Sequence, residues 1–251
     1  GVSREKSRSK RGELHIVFSP VLVYNIVKIA KEGISMNELE VLFKSNTLIK
    51  AKYDFTVAQN RVLQKAFYEI QKNKVNIAEI SLEEMKHLIK NKAINTVDAI
   101  KKFLGDLQDN KVMQIKDNGS WAISNVISYY SYDTNTHLFK IEVPMGLLQL
   151  IHEYTKTGFT PTNVTKYISL GATNAQRFYE LLRMWTGNKT IIEYSVDEIK
   201  EYLMLQDKYK MFKDFRVRVI ETAIKELKEK ELLDIYKGEY INTGRKITSI
   251  K

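Results

Sequence analysis

Apolar residues recur at helical spacing in three successive runs, twice over, and each set of three is followed by alternating, strand-like segments. In the first set, Thr56-Val57-Ala58-Gln59 opens a helix with apolar positions Val62, Leu63, Ala66, Phe67 and Ile70. Ser81-Leu82-Glu83-Glu84 then has the pattern of a capping box, where a Ser oxygen accepts from the N–H three residues on and the Glu reaches back. Met85, Leu88 and Ile89 follow it, and a third helix starts near Asn95 to bury Ile100, Phe103, Leu104 and Leu107. The second set repeats the order. Thr173-Asn174-Ala175-Gln176 is again T-x-A-Q, with Thr expected to cap and Gln to reach back, before Phe178, Leu181, Leu182 and Trp185. Ser195-Val196-Asp197-Glu198 is the matching box before Ile199, Tyr202 and Leu203. The third helix starts near Phe212 and buries Phe215, Val219, Ala223, Ile224 and Leu227.

Each third helix leads into a hairpin. Val112–Lys116 and Trp121–Ile127 flank Asp117-Asn118-Gly119-Ser120, and Leu232–Ile241 and Lys246–Ile250 flank Asn242-Thr243-Gly244-Arg245. Asn-Gly and Gly supply the positive φ that such turns need. Three helices and a hairpin, in tandem, give the expected fold class: α+β, mainly helical, two tandem winged-helix domains with β-hairpin wings. The domains are expected at 46–153 and 154–251. The first carries extra strand-like runs, Ser124–Tyr132 and His137–Val143, ended by Pro144. Residues 1–45 are expected to form a basic arm and helical extension. Arg4, Lys6, Arg8, Lys10 and Arg11 oppose one Glu5, Ser19-Pro20 marks a helix start, and Ser35-Met36-Asn37-Glu38 opens a short helix through about Phe43.

Composition narrows the class. In 251 residues, 43% are hydrophobic, with 14 Tyr and 10 Phe, so a sizeable core is expected. Only 3 Pro and 11 Gly exclude collagen-like or disordered chains. The absence of Cys removes disulfides, thiolate metal sites and cysteine nucleophiles, and agrees with a reducing, cytoplasmic location. No apolar run approaches the roughly 20 residues of a membrane span, and the polar start is not a secretory signal. A net charge of +10 favours a polyanionic partner, nucleic acid or an anionic membrane surface.

The charge is unevenly placed. Lys208, Lys210, Lys213, Arg216 and Arg218 precede or open the second copy's third helix, opposed only by Asp207 and Asp214. On a helical wheel Arg218, Glu221, Thr222 and Lys225 point away from the apolar stripe, Lys213 flanks it, and Arg216 falls near it. A winged helix places this helix in the major groove and its wing on the backbone. Arg245 and Lys246, at the hairpin tip, are therefore expected on phosphates. In the first copy Lys101 and Lys102 sit beside Asp98 and Asp106, which suits phosphate contact or a protein interface better than base reading.

No catalytic, metal or cofactor site is expected. His15, His87, His137 and His152 are scattered, so the His-hydrophobic-His metal pair of DNA-nicking initiators is missing. Gly187-Asn188-Lys189-Thr190 carries only the tail of a phosphate-binding loop.

Two segments resemble the replication initiators of iteron-bearing, theta-replicating plasmids. One runs from Phe43-Lys44-Ser45-Asn46 through Ala51-Lys52-Tyr53-Asp54-Phe55-Thr56. The other is Tyr209-Lys210-Met211-Phe212-Lys213-Asp214-Phe215-Arg216-Val217-Arg218-Val219-Ile220, continuing to Leu227. Arg177-Phe178-Tyr179-Glu180-Leu181-Leu182 and Gly244-Arg245-Lys246 match as well, so the resemblance covers roughly 43–250. The family often has Pro where this chain has Thr222. The resemblance implies two winged helices on one direct repeat of double-stranded DNA, monomers that initiate and dimers that repress. It also implies host initiator, helicase and chaperone partners. The alternative is a winged-helix transcriptional regulator with no part in replication; a DNA-processing enzyme stands third.

Overall fold

The computed structural model describes residues 40–115, 119–185, 192–232, 240–243 and 246–250. The basic arm, the Ser19-Pro20 and Ser35 helix starts, the Gly187 segment and Gly244-Arg245 lie outside the described residues.

The first winged helix contains α2 (Val57–Asn73), β2 (Ile77–Ser81), α3 (Leu82–Ile89), α4 (Val97–Asp109) and the wing strands β3 (Lys111–Ile115) and β4 (Trp121–Asn125). Before it come β1 (Val41–Ser45) and α1 (Asn46–Lys50); after it come β5 (Tyr129–Asp133), β6 (Leu138–Glu142) and α5 (Met145–His152). A 3-10 turn at Tyr154–Thr157, β7 (Phe159–Asn163) and α6 (Val164–Ser169) lead to the second winged helix. It comprises α7 (Thr173–Arg183), β8 (Tyr194–Ser195), α8 (Val196–Tyr202) and a third helix in three pieces. Those pieces are α9 (Phe212–Phe215), a π segment (Arg216–Glu221) and α10 (Thr222–Glu229). Its wing is β9 (Tyr240–Thr243) and β10 (Lys246–Ile250).

Caps explain most of the helix starts. The Gln59 N–H donates to Thr56 Oγ1 at 3.2 Å and the Thr56 N–H donates to Gln59 Oε1 at 2.9 Å. Ser195 and Glu198 close the same box at 3.1 and 2.8 Å. Ser81 accepts from the Glu84 N–H, but the Glu84 carboxylate turns to Lys65, 3.1 Å away. Thr96, one residue past the expected start, caps α4 through the Ala99 N–H.

Two expectations are corrected. Thr173 does not cap α7: the cap position is Ala172 and makes no side-chain hydrogen bond. The fully buried Gln176 amide faces α2 instead, accepting from Asn60 Nδ2 at 3.1 Å. The short helix expected through Phe43 is, over its described part, strand β1. It pairs antiparallel with β7, from Val41 opposite Asn163 to Ser45 opposite Phe159. Val41-Leu42-Phe43 suits either period, and the long-range partner decided it.

The two copies pair their strands differently. In the second, β8 joins the wing in the order β8-β10-β9. In the first, β2 pairs with β6 in a sheet ordered β2-β6-β5, leaving β3–β4 as a separate two-stranded wing. The expected run Ser124–Tyr132 breaks at Val126-Ile127, both buried, so β4 serves the wing and β5 the sheet.

Each copy has its own core. Val62, Ile70, Ile80, Met85, Ile100, Leu104, Leu107, Phe139 and Ile141 belong to the first. Phe178, Ile199, Phe215, Val219, Ile220, Ala223 and Leu227 belong to the second, with Ile224 half-buried at its border. Each fully buried Val, Leu, Ile, Met or Phe among them contributes roughly 1.5–3 kcal/mol by leaving water. Where the cores meet, α2 and α7 are buried nearly all round. Gln59, Asn60, Arg61, Gln64 and Lys65 are covered on α2, as are Gln176, Arg177 and Glu180 on α7.

Candidate nucleic-acid interface

The third helix of the second domain is anchored from below. Phe215, Val219, Ile220, Ala223 and Leu227 are at most 1% exposed. Through the π segment the apolar stripe widens to admit both Val219 and Ile220, which a strict 3.6-residue period does not anticipate. The Thr222 hydroxyl donates to the Val217 carbonyl, five residues back, at 3.0 Å.

That anchoring fixes which side chains face solvent. Lys213, Val217, Arg218, Glu221, Thr222 and Lys225 are exposed along the helix, and Lys208 and Lys210 are exposed in the turn leading into it. The turn is held by Lys200, whose Nζ donates to the Tyr209 carbonyl at 2.9 Å and lies over the Phe215 ring. Among the described residues Lys208, Lys210, Lys213 and Arg218 form no ion pair, and Lys225 has only a loose, exposed one with Glu229 at 3.8 Å. An exposed i,i+4 pair contributes little and leaves the ammonium available.

Arg216 stands apart from these. It is half-buried, its guanidinium lies 5.6 Å from the Tyr240 ring centroid, and its Nε is 3.2 Å from the Glu221 carboxylate. The structure thus places Arg216 between the helix and wing strand β9. Lys246 opens β10 opposite Thr243, at the tip of the second wing, and Arg245 lies outside the described residues.

In the first domain Lys101 and Lys102 are exposed on α4, with Asp98 and Asp106 also exposed on that helix. No single basic strip comparable to that of the second domain forms there.

A further cation went unnoticed in the sequence. Lys90, the left-handed C-cap of α3, is held below its ordinary pKa by burial and by the neighbouring Arg61 and Lys230 charges. Arg61 comes from α2, and Lys230 is the C-cap of α10, which ends the third helix of the second domain. Positive charges carried by both domains are therefore felt at Lys90. Helix periodicity cannot reveal this, because the three residues are far apart in sequence. Among the described residues no group of acidic, His or Cys side chains could hold a metal ion. No described helix is long and apolar enough to cross a membrane.

The chain matches two family models. Residues 41–183 match the model described as "Initiator Replication protein, WH1" and residues 195–251 that described as "Initiator Rep protein, WH2". Among solved structures, the "Crystal structure of Pi initiator protein in complex with iteron DNA" superimposes at TM-score 0.67 and 20% identity. It covers 86% of this chain and 96% of that one, a likeness of fold. The WH1 domain of MSBI1.176, a replication protein isolated from a multiple sclerosis patient, aligns at TM-score 0.30 and 13% identity over 41% of this chain and 86% of that one. Domains 2 and 3 of RctB align at TM-score 0.45 and 11% identity, over 80% and 85%. No curated protein matches by sequence.

Proposed function

This chain belongs to the initiator replication protein family, and from that membership we propose that it binds directly repeated origin sites on double-stranded DNA and so initiates plasmid replication. One observation carries the reading. The third helix of the second domain buries Phe215, Val219, Ile220, Ala223 and Leu227 and presents Lys213, Arg218 and Lys225 outward, with Lys208 and Lys210 at its N-terminal approach. The fold is that of an initiator solved on iteron DNA, which supports the same use of it here.

In this reading Arg218 and Lys213 contact base edges, since helix residues that face away from the core are the ones that enter the groove. Arg245 and Lys246 at the second wing, and Lys101 and Lys102 on α4, hold phosphates. Arg216 contributes by fixing the wing against the helix. The protein works in the cytoplasm without a catalytic step or cofactor of its own. It recruits the host initiator and helicase, with chaperones acting on its assembly state. Dimers formed through the first domain repress the protein's own gene.

The test is selection of duplexes from a random pool by the full chain, followed by titration with Arg218→Ala. The substitution is expected to cost about 1–3 kcal/mol and to relax discrimination at one position. Enrichment of no common sequence sinks the reading. Selected sites found as direct repeats beside the gene favour replication; a lone site over a promoter favours a transcriptional regulator.

A further inference from the structure

Arg177 and Glu180 lie on α7, beside the second core, yet both are at least 95% buried and send most of their polar contacts to the Lys44–Tyr53 segment. The Arg177 guanidinium donates to the Ile49 carbonyl at 3.2 Å and the Ala51 carbonyl at 3.0 Å, both at the C-terminal end of α1. It also donates to the Tyr202 carbonyl at 3.0 Å, the last residue of α8. A helix leaves its final carbonyls without internal partners and carries partial negative charge there. Arg177 therefore closes two helix ends at once, one beside each core, while stacked 4.0 Å from the Tyr53 ring centroid.

Glu180 completes the arrangement. Lys44 Nζ donates to it at 2.5 Å and the Tyr53 hydroxyl at 3.2 Å. Burial opposes the Lys44 charge, but the Glu180 carboxylate beside it outweighs that and holds the ammonium above its ordinary pKa. Lys44, Leu42, Ala51 and Tyr53 belong to the segment packed on the first core. Around this centre Asn60 meets Gln176, Arg61 Nη2 donates to the Leu170 carbonyl at 2.7 Å, and Lys52 meets Glu201 at 2.5 Å.

A buried ion pair of this kind is no better for stability than apolar residues of the same volume. What it adds is direction, because apolar surfaces can slide and hydrogen bonds cannot. We propose that Arg177, Glu180, Lys44 and Tyr53 are positioning residues that set the angle between the two recognition helices, so that the protein discriminates between DNA sites by the spacing of their two contact blocks. This rests on the duplex-binding reading above. The magnitudes agree: one base pair moves a contact about 3.4 Å along the axis and about 35° around it. Hydrogen bonds are lost beyond about 3.5 Å between heavy atoms. Following a one-base-pair change by rotation at the seam thus breaks the set.

The experiment uses the full chain and the duplex it selects from a random pool, with one or two base pairs inserted between the two footprinted blocks. Two variants are compared with the wild type. Arg177→Lys keeps the charge but cannot span three carbonyls. Lys44→Met combined with Glu180→Gln removes one charge of each sign at similar volume. The wild type is expected to lose about tenfold or more in affinity per inserted base pair, and folded variants about threefold or less. Variants that keep the full wild-type penalty, or that weaken on every spacing in equal proportion, overturn the proposal. So does a wild type that tolerates the insertions, or the loss of a cooperative thermal transition in both variants, which would make the seam a folding requirement. A wild type with no preference for the selected duplex over a scrambled one removes the duplex-binding reading itself.

Discussion

At the scale of residues, exposure separates the cations that can meet DNA from those already engaged. Arg218 is exposed and without an ion pair among the described residues, whereas Arg216, two positions earlier, is committed to Tyr240 and Glu221. Arg216→Ala is therefore expected to lower thermal stability and loosen the wing, with affinity falling alike for all sequences. A change confined to one base position in a selection experiment would show that it reads DNA directly. Lys90→Ala is expected to weaken all duplexes alike and to reduce the slope of log affinity against log salt by about 1, as one lost phosphate contact does. An unchanged slope removes Lys90 from the interface. The sequence placed Arg218 and Lys225 outward, and Lys213 at the flank of the apolar stripe, because helical period alone determines that. It did not reveal Lys90 or the roles of Arg177 and Glu180, since polar residues on a helix read as solvent-facing until a second domain covers them.

At the scale of elements, the order three helices then hairpin was legible because caps and apolar spacing are local signals. The elements that escaped depend on distant partners. Among the described residues, strand β7 contains Pro161 and pairs with β1 alone, and β2 pairs with β6 alone, so neither carries enough local pattern to stand out. The same distinction bears on self-association. β5 is an edge of its sheet, with Tyr129 49% exposed, and an unpaired edge is a template for pairing across a two-fold axis. Tyr129→Lys is expected to shift the protein towards monomer in sedimentation and to raise its affinity for a single repeat. Ile127, from the same expected run, has no exposure at all. Ile127→Lys is expected to unfold the first domain rather than separate subunits, which circular dichroism would report. A Tyr129→Lys protein that remains dimeric places the self-contact elsewhere.

At the scale of the whole molecule, a surplus of ten positive charges and two winged helices joined by a polar seam suit the proposed binding of one duplex at two places. If about six to ten phosphates are contacted, affinity falls roughly three to five orders of magnitude between 50 and 200 mM salt. A flat response would mean that the charge serves something other than DNA. The most direct measurement is hydroxyl-radical footprinting of the full chain on a selected duplex carrying a single repeat, at a protein concentration where sedimentation shows monomer. The expected result is two protected blocks centred about 10 base pairs apart on one face of the helix, the Arg218→Ala protein leaving one of them weakened. A single block, or two blocks only when two chains are bound, contradicts the account.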